Sequence, residues 1–94
     1  MPPLNIDFSS RFKAEARALT EERKQQVAEA VARLRGTFGQ AHLHTGLGIR
    51  RLRQSYFEFR AGRDMRVVFK LEGSRASMML IGNHDEVRRF LKNL

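Results

Sequence analysis

From Arg50 to Phe69, charged and polar side chains alternate with aromatic and aliphatic ones. No other feature restricts so tightly what this chain can fold into. In an extended strand, successive side chains point to opposite faces. Within Tyr56-Phe57-Glu58-Phe59-Arg60, Phe57 and Phe59 therefore share one face, and Tyr56, Glu58 and Arg60 share the other. The expected sheet has an apolar back and a front carrying cations, one carboxylate and one phenol. Such a front suits a polyanion. Strands are expected near 49–53, 55–60 and 65–71, with a tight turn at Gly62-Arg63-Asp64. A further strand runs from about Ala76 to Ile81, after a turn at Gly73-Ser74.

The first half follows a different period. Leu4-Asn5-Ile6-Asp7-Phe8 alternates and predicts a short strand. Ser9 or Ser10 can cap a helix in which Phe12, Ala16 and Leu19 share a face. Thr20 suits the N-cap of a second helix, with Glu21 and Glu22 at its positive end. Val27, Val31 and Leu34 form the apolar stripe of that helix, and Gly36 is a candidate C-cap. Residues 36–48 hold four glycines and two histidines and read as a loop. Gly46-Leu47-Gly48 lacks the third glycine and the strand-to-helix setting of a phosphate-binding loop. At the other end, Asn83 can cap a last helix, with Glu86 completing a capping box and Val87, Leu91 and Leu94 as its apolar stripe. The order is strand, two helices, four strands, helix. It predicts a single α+β domain over residues 1–94: a small twisted, mainly antiparallel sheet, an N-terminal helical hairpin and a short C-terminal helix, with helices on one face.

Composition narrows the function. With 94 residues and 41% hydrophobic content, the chain can build one modest core. A net charge of +8 favours nucleic acid, ribosomal or acidic-protein partners. There is no cysteine, so disulfides and thiolate metal sites are excluded. His42, His44 and His84 lack metal-ligand spacing on a helix, so neither metal nor cofactor is expected. No apolar run approaches membrane-spanning length and the N-terminus has no signal-peptide core, so the expected location is the cytoplasm.

Four stretches taken in order carry a family likeness: Leu52-Arg53 followed by Tyr56-Phe57-Glu58-Phe59-Arg60, then Arg66-Val67-Val68-Phe69, and last Ile81-Gly82-Asn83-His84-Asp85-Glu86-Val87. In order, spacing and total length the chain resembles the RelE/ParE toxins of bacterial type II toxin–antitoxin modules. The resemblance implies a twisted antiparallel sheet with two N-terminal helices packed on it. It also implies an antitoxin protein as partner. RelE-like members cleave messenger RNA at the ribosome, inhibiting translation; ParE-like members instead inhibit DNA gyrase. Fold does not choose between these branches, so site residues must.

Cleavage by attack of a ribose 2′-hydroxyl on its own phosphate needs a proton acceptor, a proton donor for the leaving 5′-oxygen, and cations at the phosphate. No metal is required. The resemblance places Arg66 as the phosphate-holding arginine, and a planar, always charged fork suits that task. The structural alternative is a surface pair with Asp64 or Glu58. Arg60 stands where ParE-like relatives also keep an arginine, as a structural residue. His84 falls where several relatives carry a catalytic histidine, and imidazole can serve as general acid near neutrality; it can equally brace a helix start. Phe90 lies six residues further, where RelE-like enzymes place a stacking tyrosine; it can stack on a base or join the core. Tyr56 is the other candidate for stacking. Glu58 is either a general base or a cross-strand partner of Arg66. His44 is a second candidate base. RelE uses lysines hereabouts, whereas this chain has none between Lys24 and Lys70. Arg50, Arg51 and Arg53 can grip an RNA backbone, or keep a strand edge charged against self-association. The expectation is a RelE-like endoribonuclease with Arg66, His84, Arg60 and Glu58 in the catalytic site. A ParE-like gyrase inhibitor, or an inactive relative that only binds an antitoxin, is the alternative.

Overall fold

The two most apolar stretches become two of the three inner strands of a five-stranded sheet. The computed structural model describes residues 4–37 and 47–94. Its elements run β1 (Asn5–Phe8), α1 (Ser10–Arg17), α2 (Glu21–Thr37), β2 (Arg50–Arg53), β3 (Tyr56–Arg60), β4 (Arg66–Glu72), β5 (Arg75–Gly82) and α3 (His84–Lys92). The strand order is β1-β5-β4-β3-β2. β1 lies parallel to β5 and every other pair is antiparallel. Ser9 caps α1 by accepting a hydrogen bond from the Phe12 amide at 3.0 Å, and Thr20 does the same for the Arg23 amide at 3.3 Å. The second helix continues through Gly36 to Thr37 rather than ending at that glycine.

One face of the sheet presents Phe59, Val67, Phe69, Ala76, Met78 and Ile81 to α1 and α2, which contribute Phe12, Val27, Ala30 and Leu34. Phe59 and Phe69 are fully buried, and each such ring stabilises the fold by about 1.5–3 kcal/mol. A register shift between Val68 and Phe69 leaves Met79 unpaired on β5. That bulge lets Met78 and Ile81, three residues apart, face the same core.

The expectation that all helices share one face is wrong. α3 covers the opposite face, where Val87 packs on Val68 and Leu80, with Leu52, Tyr56, Phe90 and Leu91 around them. The reason is visible in β4: Val67, Val68 and Phe69 are consecutive and all buried, so both sides of the strand need apolar cover. Among the described residues no helix is long and apolar enough to cross a membrane.

Candidate active site

Two cross-strand rows organise the face beneath α3. In the first, Arg50 of β2 lies opposite Glu58 of β3, which lies opposite Val68 of β4. In the second, Arg60 of β3 lies opposite Arg66 of β4, which pairs with Gly82 of β5. Alternation puts Arg50, Glu58, Arg60 and Arg66 on one side of the pleat.

Glu58 is the buried charge of this face, with 1% of its surface exposed. Its Oε1 accepts from Arg66 Nη1 at 3.1 Å and stands 2.9 Å from Arg50 Nη2. The pairing with Arg66 weighed from sequence is therefore present, and Arg50 is a second partner. Asp64, the other acid considered, faces Arg23 at 3.7 Å instead. Burying a carboxylate this completely is costly unless cations meet it. Its Oε2 is also buried and has no hydrogen-bond partner among the described residues. The arginines are open to the outside: the Arg66 side chain is 30% exposed and that of Arg50 62%.

Arg60 runs along Gly48, which has φ +62°. A Cβ there would sit 3.1 Å from Arg60 Nε, so this glycine provides both the turn and the space for the guanidinium.

His84 is the exposed first residue of α3, two positions after the glycine that pairs with Arg66. Its backbone is held by a complete capping box. Asn83 Oδ1 accepts from the Glu86 amide at 2.9 Å, and Glu86 Oε1 accepts from the Asn83 amide at 3.0 Å. Gly82 permits this closure, because a Cβ on it would lie 2.9 Å from the Glu86 Cβ. Arg60, Arg66 and His84 thus belong to one end of the sheet.

No family model matches this chain, and no curated protein matches its sequence. Solved structures do match its backbone. A chain of the RelE–RelB complex from Pyrococcus horikoshii OT3 superposes with a TM-score of 0.70 at 10% identity, covering 87% of this chain and 96% of that one. A chain of the RelB–RelE antitoxin–toxin complex from Methanococcus jannaschii gives 0.69 at 9% identity, covering 89% and 96%. The YoeB/ParE toxin from Agrobacterium tumefaciens gives 0.67 at 17% identity, covering 86% and 99%. The chain has the RelE/ParE toxin fold.

Within this RelE/ParE fold the remaining sequence candidates fall elsewhere. Tyr56 and Phe90 meet edge to face, with ring centroids 5.5 Å apart, and both pack on the α3 cluster. Lys70 Nζ lies 5.8 Å from the Tyr56 ring centre. Four residues of strand separate Tyr56 from Arg60, about 13 Å, and six of helix separate Phe90 from His84, about 9 Å. The aromatic pair therefore belongs to the other end of the face. Arg51 Nε donates to the Gln54 carbonyl at 3.0 Å, and Arg53 Nη1 to the Leu91 carbonyl at 3.1 Å, near the C-terminal end of α3. His42 and His44 lie outside the described residues. The Arg50–Glu58 contact escaped the sequence reading, although a hairpin centred on Gln54 pairs these positions.

Proposed function

We propose that this chain is the toxin of a type II toxin–antitoxin module and an endoribonuclease that cuts messenger RNA, acting at the ribosome. The observation that carries the reading is the gathering of two arginines and an exposed histidine at one sheet end, with the Arg60–Arg66–Gly82 row leading into His84. In the reaction, the 2′-oxygen attacks phosphorus as its proton passes to water. The bond from phosphorus to the 5′-oxygen then breaks, leaving a 2′,3′-cyclic phosphate and a 5′-hydroxyl. Arg66 stabilises the charge that builds on the phosphate oxygens, Arg60 flanks it, and His84 protonates the departing 5′-oxygen. Glu58 completes the site from below, through its bond to Arg66.

An antitoxin is the proposed protein partner. Phe8, Phe12, Val27 and Val31 line an apolar cleft of about 560 Å³, with Arg17, Lys24 and Arg35 at its rim. Apolar floor and cationic rim suit an acidic, amphipathic segment. Both archaeal neighbours were solved as RelE with RelB.

The test is to induce the wild-type chain and a His84→Ala/Arg66→Ala variant in cells and to map messenger RNA 5′ ends within minutes. New ends inside coding regions, absent with the folded variant, support the ribonuclease. Intact messages with arrested growth and a DNA-damage response would overturn it in favour of gyrase inhibition.

A further inference from the structure

We infer that Arg50 and Arg66 act together as a two-arginine clamp on one RNA phosphate, with Glu58 as the buried residue that positions both. The identification of the anion as an RNA phosphate rests on the ribonuclease reading; the clamp itself rests on contacts. Arg50 approaches from β2 and Arg66 from β4, two strand spacings apart, yet both guanidinium groups end on the same carboxylate oxygen. Arginine–carboxylate pairs are frequently bidentate, using both oxygens. Here one oxygen is shared and the other has no partner among the described residues. Each guanidinium is therefore tethered through one nitrogen and keeps its other donors for a ligand.

Charge points the same way. Two guanidinium groups (Arg50 and Arg66) meet one carboxylate on this face, which leaves an excess of positive charge. Two cations held side by side repel, and an anion placed between them removes that repulsion. Because Glu58 is buried and the arginines are not, an incoming phosphate meets the guanidinium groups and not the carboxylate. Glu58 acts through the arginines, and its own oxygens do not reach the reacting atoms.

The experiment uses a set of short oligonucleotides made non-cleavable by 2′-deoxy substitution. In each, a single phosphate is replaced by a neutral methylphosphonate. For wild type, one replacement is expected to weaken binding about tenfold, in line with a charge-assisted contact. Arg50→Ala and Arg66→Ala should each reduce the penalty at that same position to about threefold or less. Glu58→Gln retains both arginines and the residue's shape, yet should also reduce it, which a merely structural role would not do. Thermal melts confirm that each variant is folded; in either arginine variant the other cation remains on Glu58. If Arg50→Ala weakens binding evenly across the set and leaves the penalty intact, Arg50 is only a diffuse attraction and the clamp is overturned. No position-specific penalty in wild type overturns it as well. The ribonuclease reading stands or falls separately, on the 5′ ends mapped in cells.

Discussion

Removing both arginines from Glu58 should cost far more stability than removing the charge of Glu58 itself. In Arg50→Ala/Arg66→Ala the carboxylate, 1% exposed, loses both cations that meet it. Breaking a buried pair in this way costs about 3–5 kcal/mol. That corresponds to roughly 12–40 °C in Tm for a chain of this size. Glu58→Gln leaves two exposed guanidinium groups that water can solvate, and should cost no more than about 1 kcal/mol. Combining all three substitutions should restore most of what the double variant lost. Thermal melts of the four proteins at pH 7 measure this directly. A double-variant loss under about 1 kcal/mol at pH 7, or a Glu58→Gln loss as large as that of the double variant, would refute the reasoning.

The cap and the edge of the sheet give two more tests. Asn83→Ala deletes the oxygen that accepts from the Glu86 amide, so α3 should lose about 1 kcal/mol. Messenger RNA cleavage in cells should fall further than that loss explains, because His84 is the next residue; unchanged cleavage would separate the cap from the site. Asp7 is held below the usual carboxylate range by a hydrogen bond from Ser77 and another from Arg75 Nε at 2.6 Å. Its contribution is present above the ordinary carboxylate range and is lost as pH falls through its depressed value. Wild type should therefore be more stable than Asp7→Asn near neutral pH, with the gap closing in acid, as melts across the acid range will show. A gap that persists at low pH counts against it.

Much of the framework is legible in local sequence. Ser9, Thr20 and Asn83 cap the helices they were expected to cap, because a cap depends on amides only two or three residues away. The strands fall within a residue or two of their predicted places, since alternation is written into each strand. The helix end at Gly36 was misplaced, as a glycine near a helix terminus is permitted there but not obliged to stop it. The side taken by α3 was also missed. Val67-Val68-Phe69 carried the signal for a strand covered on both faces, but a run of three apolar residues does not say what covers it.

Charge, element order, caps and the front-and-back division of β3 belong to the sequence by itself, because each depends on chain neighbours or on simple counts. Tertiary structure alone decided that Glu58 would lie buried between arginines from two other strands. It also decided that Arg60, Arg66 and His84 would share an end from which Tyr56 and Phe90 are removed. Burial and convergence are properties of strands that meet only on folding, and their register follows from packing that no single segment contains.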